Sequence, residues 1–289
     1  MRWAQRGAAQ DMDGSILTPD SRPDDDFVID QGWDAYTEQD HTIWRTLFER
    51  QSALLPGRAC REYLDGLAAT GAAADGIPRF EAASELLDKA TGWRIVAVAG
   101  LVPDDVFFWH LANRRFPVTN WIRTPAQMDY LQEPDVFHDF FGHVPVLMNP
   151  IFADYMCAYG RGGLKALRLG ALPYLARLYW YTVEFGLIRA DDGLRIYGSG
   201  IVSSRTESVY CLESPKPNRI AFDLMRVMQT DYKIDDLQAV YFVIDGFQQL
   251  FDATRPDFTP YYAALRDKPD LTPETVLDSD VTIPPNAPQ

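Results

Sequence analysis

Pro134-Asp135-Val136-Phe137-His138-Asp139-Phe140-Phe141-Gly142-His143-Val144-Pro145 holds two of the four histidines of the chain, five residues apart. There is no HExxH pattern and no cysteine pair at metal-ligand spacing, so a zinc-protease reading fails at once. On a regular α-helix of 3.6 residues per turn, side chains five apart diverge by about 140° and cannot share an ion. A shared ion requires a local departure from that geometry. One route is a short helix opened by Pro134 and Asp135 and ended at Gly142, with His143 just past its end; the other is a π-bulge. For the pair taken alone, two hydrogen-bonded core histidines are the commoner arrangement.

Outward from this segment the pattern is helical. Residues 37–52 place Ile43, Trp44, Leu47 and Phe48 on one stripe, with Thr37 as N-cap. Helices over 57–70 and 80–91 end at Gly71 and Gly92. Residues 94–98 alternate and are β-branched, which predicts a strand. Pro103, Asp104 and Asp105 open a helix to 114, an extended piece covers 118–122, and helices cover 150–161 and 173–190. Asp192-Gly193 and Gly198-Ser199-Gly200 frame a hairpin-like segment. Helices over 204–212 and 220–229, a strand over 240–244 and two further helices follow. The fold class is therefore mainly α with small β elements (α+β), in one body over 27–268 without repeats or linkers. Residues 1–26 are polar, and 269–289 carry five prolines, which predicts a disordered N-terminal tail and a flexible C-terminal tail.

The 289 residues are 47% hydrophobic and 24% charged, which excludes disorder and collagen for the bulk of the chain. The formal charge of −14 argues against a nucleic-acid surface and against anionic lipid, leaving small molecules and cations as ligands. Cys60, Cys157 and Cys211 are sparse and odd in number, as in a reducing compartment. No signal segment and no run of eighteen apolar residues is present, so the expectation is a cytoplasmic protein with no membrane span.

Glu184 supplies a third polar group. Within the expected helix over 173–190 its face-mates are Trp180, Tyr181, Leu187 and Ile188, all apolar. A carboxylate aimed into such a stripe costs several kcal/mol unless a cation meets it, and Arg177 lies two turns away. A metal ion is the simplest partner, because two imidazoles and one carboxylate form the facial triad of non-haem Fe(II) oxygenases. The alternative is a structural Glu bonded to Tyr or backbone groups.

Three segments carry a family resemblance: 132–145 around the two histidines, Leu178-Tyr179-Trp180-Tyr181-Thr182-Val183-Glu184-Phe185-Gly186-Leu187, and Tyr197-Gly198-Ser199-Gly200-Ile201-Val202-Ser203-Ser204. They resemble the pterin-dependent aromatic amino acid hydroxylases, with the short bacterial phenylalanine 4-hydroxylases nearest, over about residues 30–265. The resemblance implies a single hydroxylase catalytic domain that binds Fe(II) through His138, His143 and Glu184. It implies that Arg123 clamps the substrate carboxylate as a bidentate fork, held by Asp135. Pro134, Trp180, Phe185 and Ser203 match the substrate pocket. Ile234 stands where tyrosine-hydroxylating relatives carry an acidic residue, and Trp180 stands where tryptophan hydroxylases carry Phe; both favour phenylalanine. On the pterin side, Phe107 matches the residue that stacks on the ring, Leu101 and Val102 its neighbouring loop, and Asp139 a position where animal members carry Glu. Tyr179 corresponds to a tyrosine close to the iron.

The implied cofactors are Fe(II) and a tetrahydropterin, either tetrahydrobiopterin or a related bacterial pterin, with O₂ as co-substrate and L-phenylalanine converted to L-tyrosine. Pterin-recycling enzymes are indirect partners. The chain shows neither the N-terminal regulatory domain nor the C-terminal heptad helix of animal members, so a monomer is expected. Competing readings are a tryptophan or tyrosine hydroxylase of the same family, a 2-oxoglutarate-type Fe(II) oxygenase, and a silent metal- or amino acid-binding protein. The 2-oxoglutarate class has HxD or HxE and a distant His on a β-sandwich, and His138-Asp139 lacks the spacer.

Overall fold

Thr37 opens the helical body with a complete capping box: its hydroxyl accepts from Asp40 N, and the Asp40 carboxylate accepts from Thr37 N. The computed structural model describes residues 17–129, 131 and 133–287; the expectations for 1–16 and for the last two residues lie outside the described residues. Helices α1 (Glu38–Leu54), α2 (Arg61–Ala69) and α3 (Phe80–Thr91) come first, α3 ending where Gly92 turns left-handed. Then β1 (Arg94–Val98) and β2 (Arg115–Thr119) pair in parallel around α4 (Asp104–Ala112). The long α5 (Pro150–Arg168) packs against α4. Backbones approach so closely there that a Cβ on Gly160 would sit 2.3 Å from Ala112 N, which only glycine permits.

The second half contains α6 (Leu172–Tyr179), β3 (Leu187–Ala190), β4 (Gly193–Ile196), α7 (Ser199–Val202), α8 (Arg205–Glu213), β5 (Asn218–Ala221), α9 (Leu224–Gln229), β6 (Val240–Ile244), α10 (Phe247–Thr254) and α11 (Thr259–Arg266). Its four-stranded sheet has the order β4-β3-β6-β5, antiparallel only between β3 and β4. The mainly helical class with small sheets is as expected. Among the described residues no helix is long and apolar enough to cross a membrane.

Three expectations change. The helix over 173–190 stops at Tyr179; one π-helical turn, Trp180–Glu184, follows, and Leu187 and Ile188 are extended opposite Val243 and Ile244 of β6. Leu187 and Ile188 are therefore not helical face-mates of Glu184. The helix expected over 220–229 begins as β5, and α9 starts only where the Asp223 side chain caps Arg226 N. Gly198-Ser199-Gly200 opens α7 instead of closing a hairpin.

The segment after 268, expected as a flexible tail, is bonded to the body as far as Asn286. Asp270 meets the Arg177 guanidinium with two 2.7 Å bonds, and the buried Asp280 meets the buried Arg226 at 3.0 Å. Asn286 bonds Leu194 through both its backbone-facing amide atoms. Buried arginines need anionic or carbonyl partners, and this segment brings the anions. Near the other end, Asp26 pairs with Arg115 at 3.3 Å and its carbonyl meets His110 Nε2 at 2.8 Å.

Candidate active site

Both segments that carry candidate metal ligands are π-helical. Phe137–His143 forms one such run and Trp180–Glu184 the other, the latter closed by Phe185 N donating to Trp180 O at 2.8 Å. In i→i+5 winding, residues five apart lie one turn above each other, so His138 and His143 face the same way. Gly142 sits inside this run rather than at its end, and a Cβ there would come within 3.0 Å of the Ser199 backbone. Phe137, Phe140 and Phe141 anchor the run in the core beside Trp44 and Phe48.

His138 Nε2 lies 3.3 Å from His143 Nε2 and 3.6 Å from Glu184 Oε2, and His143 Nε2 lies 3.4 Å from Glu184 Oε1. Donor atoms about 2.1 Å from one ion and at right angles to each other stand about 3 Å apart, so one ion suits this spacing. Glu184 is 4% exposed, and its Oε1 has no hydrogen-bond partner among the described residues. An orphaned buried carboxylate oxygen beside two imidazole nitrogens is a donor set that a divalent cation completes. Among the described residues this is the one group of three such side chains close enough to hold a metal.

Neighbouring groups set the protonation of this cluster. The Ser203 hydroxyl gives its proton to Ser199 O at 2.7 Å, so at 3.0 Å its oxygen accepts from His138 Nδ1–H. His138 Nε2 therefore points a lone pair into the cluster. Burial pushes the His138 pKa down to about 4, against the attraction of Glu184, which keeps the imidazole neutral. Burial also opposes ionisation of Glu184, but the electrostatic pull of the adjacent His143, and then of His138, holds its pKa at about 2. Ser199 Oγ adds a 2.9 Å bond to Glu184 Oε2. A Cβ on Gly198 would stand 2.4 Å from Glu184 O, so glycine is what lets α7 approach.

A second structure grows from the same histidine run. Asp135, fully buried, takes Arg123 Nε at 2.8 Å on Oδ2 and Arg123 Nη2 at 2.9 Å on Oδ1. The same carboxylate accepts Arg123 N and His138 N, each at 3.0 Å. Its burial opposes ionisation, yet the Arg123 hydrogen bonds and charge, with both amides, hold its pKa below the usual carboxylate range. Val136 N donates to Trp121 O, and Thr119 donates to Asp139 Oδ2 through both N and Oγ1 at 2.9 Å. The extended chain after β2 is thus zipped along the histidine run, which ties Arg123 through Asp135 to the His138 amide. Burial raises the Asp139 pKa to about 6, opposed by His143 and by those Thr119 bonds.

Trp180 stacks on Tyr232 at 4.5 Å and meets Phe185 at 4.7 Å, which forms an aromatic wall one π turn from Glu184. Ile234 is half-buried on the same loop as Tyr232. Pro134 contributes a carbonyl 3.4 Å from Thr119 Oγ1. The Tyr179 ring lies 6.2 Å from His143 and 6.3 Å from Phe107, which joins these three in one cluster. Leu101 is 43% exposed and Val102 half-buried against the core, on the loop before α4. A cavity of about 460 Å³, lined by residues including Trp33, His41 and Arg79, shares no residue with the site. Ser199, Thr119 and Gln238 escaped the sequence reading. Ser199 stood in a quoted motif, but nothing local marked the other two.

A family model for biopterin-dependent aromatic amino acid hydroxylases matches residues 34–264. The chain belongs to this family. Among its relatives, a phenylalanine-4-hydroxylase of Ralstonia nicotianae is 62% identical over 95% of this chain and 86% of its own length. That of Chromobacterium violaceum is 64% identical over 84% and 82%. The iron- and phenylalanine-bound crystal structure of the C. violaceum enzyme superposes with a TM-score of 0.87 at 58% identity, covering 91% of this chain and 96% of that one. As a biopterin-dependent hydroxylase, the chain places its two histidines and its glutamate on the two π turns, where one ion fits.

Proposed function

We propose that the chain is a non-haem Fe(II), tetrahydropterin-dependent monooxygenase that hydroxylates L-phenylalanine to L-tyrosine with O₂. The observation that carries this reading is the convergence of His138 Nε2, His143 Nε2 and Glu184 on one point, joined through Asp135 to a buried arginine fork. The names and bound ligands of the similar bacterial enzymes support it. When bound, iron and tetrahydropterin supply the oxidising chemistry toward O₂, two electrons coming from the pterin.

His138, His143 and Glu184 would hold the iron, three protein donors being the set that supports O₂ chemistry at Fe(II). Arg123 takes the substrate carboxylate, its orientation fixed by Asp135. Trp180, Phe185 and Pro134 enclose the ring and exclude water, with Ile234 at the edge. Ser203 fixes the His138 tautomer in addition to lining the pocket. Phe107 stacks on the pterin, with Leu101, Val102 and Asp139 around it, and Tyr179 packs beside the iron. An apolar ring wall receives phenylalanine without penalty, whereas a tyrosine hydroxyl buried there unpaired costs about 1–3 kcal/mol. The enzyme acts as a cytoplasmic monomer whose oxidised pterin is restored by separate recycling enzymes.

The test is anaerobic Fe(II) loading followed by O₂, a tetrahydropterin and phenylalanine, tyrosine or tryptophan in turn, with product analysis. Tyrosine from phenylalanine at the highest kcat/KM, dependent on pterin and independent of 2-oxoglutarate, is the expected result. Ile234→Asp should then shift the ratio toward tyrosine as substrate, and Trp180→Phe toward tryptophan. Preference of the wild type for tyrosine or tryptophan refutes the phenylalanine assignment.

A further inference from the structure

Gln238 lies outside every quoted motif, is 4% exposed, and makes four hydrogen bonds just before β6. Its Oε1 accepts from the Trp180 indole Nε1 at 2.8 Å. Its Nε2 donates to Lys233 O at 3.1 Å and Asp236 O at 3.2 Å. The indole can only donate and the two carbonyls can only accept, so the amide has one orientation that satisfies all three. From behind, Gln238 N donates to Glu207 Oε1 at 3.2 Å, an oxygen that also receives the Tyr241 hydroxyl. Gln238 closes the loop that carries Lys233 and Asp236, and its backbone is tied from behind to Glu207 of α8.

Those parts are the two sides of the ring pocket. Trp180 begins the π turn that ends at Glu184, and residues 233–236 carry Ile234 in a loop whose Asp231, Lys233, Asp235 and Asp236 are exposed. Tyr232, from the same loop, lies flat on the indole. A loop so exposed holds its place through few buried anchors, and the Gln238 amide supplies two of them.

We propose that Gln238 is a positioning residue that sets ring selectivity by fixing the Trp180 wall and the Ile234 loop to each other. The inference rests on the reading of the site as an aromatic amino acid pocket. Gln238→Met keeps the volume and removes the amide; Gln238→Glu keeps the acceptor for the indole but turns a carboxylate toward the two loop carbonyls.

The experiment measures kcat and KM for phenylalanine and tryptophan, with iron content, in wild type, Gln238→Met, Gln238→Glu, Trp180→Phe and the Trp180→Phe/Gln238→Met double variant. Expected for Gln238→Met is a rise of about tenfold in the phenylalanine KM, with kcat within about threefold and the phenylalanine preference reduced in proportion. Iron per chain stays at the wild-type level. In the Trp180→Phe background the same substitution acts by less than about threefold, because the indole bond is already gone. Gln238→Glu, which also loses the bonds to both loop carbonyls, shifts the ratio in the same direction and keeps the inference testable should Gln238→Met not fold. Unchanged KM and substrate ratio in Gln238→Glu and Gln238→Met overturn the inference, as do equal effects in both backgrounds. A wild type that forms no tyrosine overturns the functional reading, and the inference with it.

Discussion

Replacing Asp135 by Asn tests how far the arginine fork and the metal cluster depend on one carboxylate. Oδ1 serves Arg123 Nη2 and His138 N, and Oδ2 serves Arg123 Nε and Arg123 N. An asparagine keeps one oxygen, so whichever way it turns, its NH₂ faces two donors and two bonds are lost. Arg123, 6% exposed, is left with a full charge and no anion. Removing one partner of a buried ion pair costs about 3–5 kcal/mol, and that is the expected fall in unfolding free energy in urea. The phenylalanine KM should rise because the fork loses its brace, and iron should be held less firmly because the amide that opens the His138 turn loses a carboxylate. The paired replacement Arg123→Met with Asp135→Leu removes both charges but leaves the amides of Arg123 and His138 without an acceptor, so it should be more stable than Asp135→Asn yet stay below wild type, while the KM stays high. A loss below about 1 kcal/mol in Asp135→Asn, or recovery of substrate binding in the double variant, refutes the reasoning.

His138→Ala and His143→Ala should each abolish stoichiometric iron binding, measured by metal analysis after anaerobic loading; full iron content in both discards the triad. Arg123→Lys keeps charge but loses the fork, so steady-state kinetics should show a large rise in the phenylalanine KM with iron content unchanged. His110 is buried, with Nε2 donating to Asp26 O, and burial pushes its pKa from 6.5 to about 4. The unfolded chain therefore binds more protons between those values, and stability falls as pH drops from 6.5 toward 4, by up to about 3 kcal/mol. Burial of Asp139, whose pKa is raised, acts with the opposite sign, so the check is the difference in urea stability between wild type and His110→Phe at pH 5 and 7. A pH slope identical in the two removes His110 from the account.

The parts of this molecule that were legible in the sequence are those where one local feature carried the signal. Thr37, Gly92 and the β-branched run 94–98 mark their elements by themselves, and each stands as expected. Glu184 stood out because a carboxylate on an apolar segment needs a cation, and the resemblance then joined it to His138 and His143, which alone read as core histidines. The break after Tyr179 was hidden because Leu187 and Ile188 suit a helical stripe and a buried strand equally well. What decides between them is pairing with Val243 and Ile244, more than fifty residues away. The same holds for Gln238, whose role exists only once 180, 207 and 233–236 meet. Prolines made the residues after 268 read as mobile, yet Asp270 and Asp280 answer buried arginines whose need no local pattern reveals.

The two π turns make the site depend on the residues packed around it. Each turn winds wider than an α-helix and is uncommon on its own, so the surroundings must hold it. Around His138 they do so through Asp135, which takes the amide at the start of the turn, and Ser203, which takes Nδ1. Around Glu184 they do so through Ser199 and through Gly198, whose missing side chain lets α7 press against the carbonyl of the ligand itself. Ser199 opens α7 and Ser203 caps its C-terminal end one turn later, donating to the Ser199 carbonyl. The four-residue helix α7 and its C-cap Ser203 therefore brace one ligand from each π turn. One segment, 198–203, thus touches both a histidine and the glutamate of the cluster, and its glycine and two serines brace the site from a single side.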